Sequence, residues 1–319
     1  SKPKKEKVYT CIDLFSGAGG FVRGFKNSQY KVLLSADFDL DCEKTHNLNY
    51  PDIPFIKGDL SNDAVYKKIV DNLKNKKIDV VVGGPPCQGF SIFGKRRFIK
   101  TKDYNPHSDD RNKLVFSYLK YVKALKPKWF LMENVPGLTS LDNGWFLESL
   151  IKQIKKMGYK NVEHRIINTA DYGVPQTRKR FLLIANRLDY IIPWPKQKYF
   201  DNPEDWQLPY RTVGEAILDL SPKINKKISN HEPMKHTDSV IKRFSYIKEG
   251  KKINPDDLPE DLKYSKSGNL IKSYSKVFYR LSRDEPSPTL VPGHNAFPIH
   301  PTQDRQITVR EAARIQTFP

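Results

Sequence analysis

Apolar positions along the first 190 residues follow two alternating rhythms. Val8 to Phe15 (VYTCIDLF), Lys31 to Phe38 (KVLLSADF), Ile78 to Gly84 (IDVVVGG) and Lys128 to Asn134 (KWFLMEN) are short apolar runs. Each is rich in Val, Ile, Leu or Phe and stops at glycine, proline or a polar pair, so each reads as a strand. Helical spacing fills the gaps. A helix is expected from Phe21, and another from about Asp41 to the turn at Pro51. Residues 111–125 place Leu114, Val115, Tyr118, Val122 and Leu125 on one helical face, and 146–157 repeat the pattern. Val162 to Thr169 and Phe181 to Asn186 complete the set of strands. Strands separated by helices predict an α/β fold, a doubly wound, mostly parallel sheet with helices on both faces.

The texture changes near residue 188. Prolines, lysines and aromatics crowd the stretch from 192 to 300 and the periodicity fades. The expected organisation is a basic tail (1–7), a main α/β domain (8–188), an irregular second domain (189–304) and a helix returning to the first (305–319). That last helix is expected to carry Thr308 as N-cap, with Glu311 at capping-box spacing.

Composition narrows the partners. The 319 residues suit roughly two domains. Hydrophobic residues make up 38% and charged residues 29%, and no apolar run reaches the length of a membrane span. The basic start, Ser1 to Lys7, has no apolar stretch behind it and reads as a solvated tail rather than a signal peptide. Lysine and arginine number 55 against 36 acids, a net charge of +19. An excess of that size favours a polyanionic partner, because each neutralised phosphate releases counterions. A lysine-rich compositional bias is the alternative. The three cysteines, Cys11, Cys42 and Cys87, have no metal-ligand spacing and are too few for a disulfide framework, so a reducing compartment and no metal are expected.

Candidate chemistry gathers where the strands end. The first strand runs into Ser16-Gly17-Ala18-Gly19-Gly20, a glycine turn at which helix N–H groups could face a ligand. Asp37 ends the second strand, where a carboxylate could accept from ribose hydroxyls, and Phe38 could stack on an adenine. Asp59 follows Gly58 near the end of a third strand. Alone, the turn fits a structural role equally well, and it does not separate a nicotinamide from S-adenosylmethionine.

The next cluster does. Gly83-Gly84-Pro85-Pro86-Cys87-Gln88-Gly89-Phe90-Ser91 follows the fourth strand, so Cys87 sits at the carboxyl edge of the sheet on a chain stiffened by two prolines. Cys11 and Cys42 read as packing residues. The fifth strand ends in Glu133-Asn134-Val135, where partial burial would raise the proton affinity of the Glu133 carboxyl. Gln176-Thr177-Arg178-Lys179-Arg180 leads into a further strand. In an extended segment Arg178 and Arg180 point the same way and can converge on one site.

Here the chain resembles the cytosine carbon-5 methyltransferases, mainly bacterial modification enzymes. DLFSGAGG, GGPPCQGFS, ENVPG, QTRKR and TVREAARIQTFP occur in that family's order and at similar spacings, over residues 9–187 and 305–319. The resemblance implies a Rossmann-like S-adenosylmethionine-dependent methyltransferase fold, with residues 189–304 as the target-recognition domain. It implies that Phe15, Asp37, Phe38, Asp59 and Leu60 hold the adenosine of S-adenosylmethionine, with S-adenosylhomocysteine as product. Ser16, Gly17, Gly19, Gly20 and Pro85 are counted with them. Cys87 would attack the base, Glu133 would engage ring nitrogen 3 and the exocyclic amine, Arg180 would bind the base carbonyl, and Arg178 would support the nucleophile.

Double-stranded DNA is the expected partner, in a restriction-modification system of the bacterial cytoplasm, on the nucleoid, with no membrane association. Gln88 and Ser91, with Lys95, Arg96 and Arg97 in the basic loop 91–110, are candidate DNA contacts. That loop reads as a closing lid, with a disordered insertion as the alternative. Family members continue into a last motif with a Gly-Asn pair that is absent before Pro319, so either a shortened chain or a second polypeptide is expected; otherwise the chain is a monomer. A tRNA-methylating enzyme is the nearest competing reading, disfavoured because no cysteine follows Cys87. A non-catalytic DNA-binding subunit is the next. A nicotinamide oxidoreductase is the most distant, since GGPPC has no role in hydride transfer.

Overall fold

The computed structural model describes residues 7–26, 28–86, 113–220, 228–265, 267–271, 278–291 and 297–319. They form two compact units, the first spanning Ser1–Ile166 and Arg180–Trp194, the second Ile167–Lys179 and Pro195–Pro319. Among the described residues no helix is long and apolar enough to cross a membrane.

The first unit alternates strand and helix: β1 (Tyr9–Leu14), α1 (Gly20–Lys26), β2 (Tyr30–Asp37), α2 (Leu40–Asn49), β3 (Phe55–Lys57), α3 (Asp63–Leu73), β4 (Val80–Gly83), α4 (Lys113–Leu125), β5 (Trp129–Asn134) and α5 (Trp145–Lys156). β6 (Asn161–Asn168) and β8 (Lys179–Asn186) follow, and the two-residue β7 (Gln176–Thr177) between them belongs to the second unit. α3 has no counterpart among the elements expected from the sequence. Asn62 caps it by accepting from the Ala64 N–H at 2.8 Å, and Ile69 and Leu73 are buried.

The seven-stranded sheet has the order β3-β2-β1-β4-β5-β8-β6. β1 to β5 pair in parallel, while β8 runs antiparallel to β5, with Glu133 opposite Leu182. Burial explains why these strands read as unbroken apolar runs: both faces are covered. Ile12, Leu14, Leu34, Ala36 and Val81 join one core with α3, α4 and α5, while Cys11, Val32, Val80 and Val82 join another with Val22 of α1. From β1 the chain builds outward to β3, then crosses back to β4 on the other side of β1. That reversal opens a crevice beyond the carboxyl ends of β1 and β4, the position at which open α/β sheets take their ligands.

The second unit has little regular structure. It contains α6 (Val213–Ile217), α7 (Asp238–Ser245), α8 (Val309–Ile315) and strand pairs of two residues each. Thr308 caps α8 in a full capping box with Glu311. Buried charge substitutes for a hydrogen-bond ladder. Arg280, 5% exposed, donates to the carbonyls of Phe244 (2.6 Å), Ile247 (2.6 Å), His300 (3.0 Å) and Gln303 (2.8 Å) and to the Asp304 carboxylate. Arg305 forks onto Glu311 at 2.7 and 2.8 Å. Such planar, multiply bonded guanidinium groups fix irregular loops that no ladder holds.

Candidate active site

At the tip of β1 the backbone turns through left-handed conformations at Phe15 (φ 57°), Gly17 (φ 53°) and Gly19 (φ 90°). At Gly19 only glycine fits, since a Cβ would lie 2.8 Å from the Tyr50 ring. At Gly17 and Gly20 an added Cβ would meet no atom within 4 Å, so these two glycines border open space rather than packed protein. Phe15 is a non-glycine residue in a strained region, a feature that clusters at ligand sites.

Asp37 closes this turn. One of its oxygens accepts from the Gly17 N–H at 2.8 Å and the other from the Asp39 N–H at 3.1 Å. The carboxylate is buried, while the neighbouring Phe38 ring is 66% exposed. Gly58 donates to the Asp37 carbonyl at 2.9 Å, which brings the next turn alongside. There Asp59 accepts from the Ser61 N–H (2.9 Å) and hydroxyl (2.7 Å), and Leu60 is buried.

Among the described residues the buried Ser16 hydroxyl has no hydrogen-bond partner, and the buried Asp13 carboxyl has none of ordinary geometry, the Val22 N–H being the backbone donor nearest to it. Burial, opposed by the Val22 N–H and reinforced by the Asp37 charge, pushes the Asp13 carboxyl well above the usual carboxylate range. In the sequence Asp13 is only one polar residue within the first apolar run, with no local signal of a role. Open space, an exposed ring, an anchored carboxylate and orphaned polar atoms together fit an adenosyl ligand that is aromatic at one end and polar at the other.

The second half of the crevice is built on β4. Gly83 is squeezed between strands: a Cβ there would lie 2.5 Å from the Leu14 carbonyl oxygen and 2.7 Å from the Tyr118 ring. The Tyr118 hydroxyl bridges β4 and β5 by donating to the carbonyls of Val81 and Leu131 at 3.1 and 2.9 Å. Gly84 lets Glu133 approach, since a Cβ at Gly84 would stand 3.3 Å from a Glu133 carboxylate oxygen. Asn134, quoted in the strand-end motif but given no role there, donates to the Pro85 carbonyl at 3.1 Å and so ties the proline pair to the end of β5. Its signal was its place beside Glu133.

Glu133 and Arg180 meet, with Arg180 Nε 2.8 Å from Glu133 Oε1 and side chains 18% and 29% exposed, arginine first. The two side chains thus bridge the ends of β5 and β8 as an ion pair. Arg178 belongs to the second unit, where its N–H donates to the Asn168 side chain at 3.0 Å and its carbonyl accepts from Thr169 at 3.0 Å. Cys87, Gln88, Ser91, Lys95, Arg96 and Arg97 lie outside the described residues, as does the loop 91–110. The other two thiols are poor nucleophiles: burial pushes Cys11 up to about 12, and burial with the Asp37 charge pushes Cys42 up to about 11.

The chain matches the C-5 cytosine-specific DNA methylase family over residues 9–319. It is 36% identical over 316 residues to the Type II methyltransferase M1.HphI of Haemophilus parahaemolyticus, covering 97% of this chain and 77% of that one. It is 31% identical over 345 residues to M.DdeI of Desulfomicrobium norvegicum, covering 97% and 78%. Among solved structures, a protein described as a DNA modification methyltransferase encoded within an E. coli prophage superposes with a TM-score of 0.70 at 25% identity, over 98% of this chain and 89% of that chain. The Entamoeba histolytica methyltransferase EhMeth shares the fold, with a TM-score of 0.56 at 16% identity, covering 98% and 87%. A match that runs almost from end to end, with relatives above 30% identity, means that this protein belongs to the C-5 cytosine-specific DNA methylase family.

Proposed function

We propose that this enzyme methylates carbon 5 of a cytosine flipped out of duplex DNA, at a specific sequence, through a transient bond between the base and Cys87. The observation that carries this reading is the Glu133–Arg180 pair at 2.8 Å, set against Gly84 three residues before Cys87.

Carbon 5 of cytosine is a weak nucleophile. Addition of the Cys87 thiolate to carbon 6 forms a carbon–sulfur bond and moves the ring's electron pair to carbon 5 as an enamine. Glu133 holds ring nitrogen 3 and the exocyclic amine, and Arg180 donates to the base carbonyl. Together they absorb the charge that develops on the ring. When bound, S-adenosylmethionine supplies an electrophilic methyl group. The carbon 5 proton then passes to a base, the carbon–sulfur bond breaks with its electrons returning to sulfur, and the aromatic ring is restored. Arg178 lowers the thiol's proton affinity by its charge.

The adenosyl group is held by this chain's own residues. Asp37, already anchored on Gly17 and Asp39, offers its remaining lone pairs to the ribose hydroxyls, and Phe38 stacks on the adenine. Asp59 and Leu60 line the next turn, and the glycine turn from Ser16 to Gly20 admits the ligand against the backbone. Because carbon 6 is inaccessible within a stacked duplex, the base leaves the helix first. Gln88, Ser91, Lys95, Arg96 and Arg97 then contact the opened strand, and residues 189–304 read the surrounding sequence.

The test is transfer of label from S-adenosylmethionine to long mixed-sequence duplex DNA. Wild-type protein transfers label to cytosine, and Cys87→Ala does not. Label retained by Cys87→Ala, or found on adenine, removes the proposal.

A further inference from the structure

The amino edge of the seven-stranded sheet is strongly basic. Among the described residues, the turns 15–20, 38–41, 58–63, 84–86 and 134–144 at the carboxyl edge contain no lysine or arginine, while the start of β8 brings Lys179 and Arg180 to that edge. The segments 7–9, 28–31, 74–79, 123–128, 155–161 and 186–190 at the amino edge contain twelve lysines and arginines and two acids, Asp79 and Asp189. With 55 lysines and arginines in 319 residues, a uniform bias would place about five in each set. The amino edge, away from the candidate active site, thus carries more than twice the basic residues that a uniform spread would give it.

These segments form one continuous line. Backbone hydrogen bonds tie them in strand order: Tyr9 to Gln29 (3.0 Å), Asp79 to Thr10 (3.1 Å), Trp129 to Asp79 (3.0 Å) and Arg187 to Lys128 (3.1 Å). The Asn161 side chain extends the line by donating to the Leu188 carbonyl at 3.0 Å. Six strands, from β2 to β6, take part. At about 4.8 Å per spacing they cover roughly 24 Å.

Helix dipoles account for part of the pattern. Lysines in a last helical turn are favoured there, which covers Lys123, Lys155 and Lys156. The effect fades beyond that turn and does not reach Lys31, Lys76, Lys77, Lys126 and Lys160, all of them exposed. Lys128 is held by Asp79 at 2.7 Å, whereas none of those five exposed lysines has a carboxylate partner among the described residues. Crowding unpaired like charges costs stability, and ordinary surfaces intersperse the two signs. A row of flexible point charges without a counter-charge is suited to phosphates read without regard to sequence.

We propose that the amino edge of the sheet is a second phosphate-binding surface, on which duplex DNA outside the target site docks. Duplex DNA presents one charge per about 1.7 Å of axis, so a row of roughly 24 Å runs beside about 14 phosphates of the two strands together, enough to engage the five exposed lysines on one face. The strands, at about 3.3 Å per residue, separate this row from the catalytic edge by roughly 20 Å or more, too far for the lysines to touch the flipped base. The role is retention of the enzyme on long DNA. It rests on the reading that DNA is the substrate.

The experiment compares the full chain with Lys76→Gln/Lys77→Gln/Lys126→Gln and the matching triple Arg variant. Two readouts are taken: the salt dependence of binding to long non-cognate duplex, and methylation of plasmid against a short duplex of about 14 base pairs. The Gln variant is expected to lose about 3 from the slope of log K against log salt, near 0.9 per lost phosphate contact, and to bind at least tenfold more weakly. Plasmid methylation falls about as much, short-duplex methylation stays within twofold, and the Arg variant behaves as wild type. An unchanged slope overturns the proposal. So does an equal fall on both substrates with an unchanged urea midpoint, or displacement of the duplex by polyglutamate at equal charge concentration. If wild type binds with the expected slope but methylates neither substrate, the methyltransferase reading fails while this surface stands.

Discussion

Replacing Asp37 by alanine separates anchoring of the glycine turn from recognition of the cofactor. The buried carboxylate holds two backbone donors, Gly17 at 2.8 Å and Asp39 at 3.1 Å. Hydrogen bonds to an ionised acceptor contribute about 1.5–3 kcal/mol each, so loss of both costs about 3–4 kcal/mol once the better solvated Asp39 donor is discounted. At about 2–4 °C per kcal/mol for a unit of this size, the melting temperature falls by about 10 °C. Phe38→Ala is the control, because its ring is 66% exposed and contributes little to folding. It nevertheless removes a stacking surface of about 1–3 kcal/mol, a 5- to 150-fold loss of affinity. The assay pairs calorimetric titration with S-adenosylhomocysteine and urea unfolding of each variant. Asp37→Ala is expected to lose both stability and affinity, Phe38→Ala affinity alone. If Phe38→Ala binds within twofold of the parent, or Asp37→Ala matches it in both measurements, the assignment of this crevice to the adenosyl group is wrong.

Other consequences follow from single contacts. Arg180→Met should lower kcat/KM at least 100-fold at a stability cost of about 1–2 kcal/mol, and a cycle with Glu133→Gln should be strongly non-additive because the two act as a unit. Additive losses would separate them. Arg280→Met leaves five acceptors without their donor and should destabilise the second unit by about 3–5 kcal/mol, read as a lower urea midpoint; a shift below 1 kcal/mol would contradict the pinning role. Burial pushes His300 down to about 4, so it folds neutral. Its contribution is present above pH 6.5 and is lost as pH falls toward 4, where the unfolded chain binds a proton that the native one refuses. The difference is about 3 kcal/mol across that window, and His300→Gln should flatten it in pH-dependent unfolding.

The parallel core was legible because both faces of each strand are covered, so Ile12-Asp13-Leu14 and Val80-Val81-Val82 stand out without any alternation to decode. The capping box at Thr308 and Glu311 was legible for a local reason, since its hydrogen bonds span three residues. α3 was hidden by its charges, Asp63, Lys67, Lys68 and Asp71, which dilute the apolar spacing of Val65, Ile69 and Leu73. The direction of β8 was not readable, because an apolar run looks the same in either sense. Of the site, the glycine turn, Asp37 and the strand-end acid were visible as local motifs. The contact between Glu133 and Arg180 spans 47 positions and needed a fold to bring it about. Asp13 was hidden because its significance lies in its burial, which an acid in a strand run does not announce.

The most direct measurement replaces the carbon 5 proton of the target by fluorine, which no base can remove, so that the bond to the enzyme cannot break. Duplex DNA carrying 5-fluorocytosine throughout is incubated with the full chain and S-adenosylmethionine, digested, and mapped by mass spectrometry. The account predicts a methylated fluorocytosine nucleotide attached at Cys87, and none with Cys87→Ser. Attachment at Cys11 or Cys42, or methylated product released from the fluorinated duplex with no attachment at all, would contradict it.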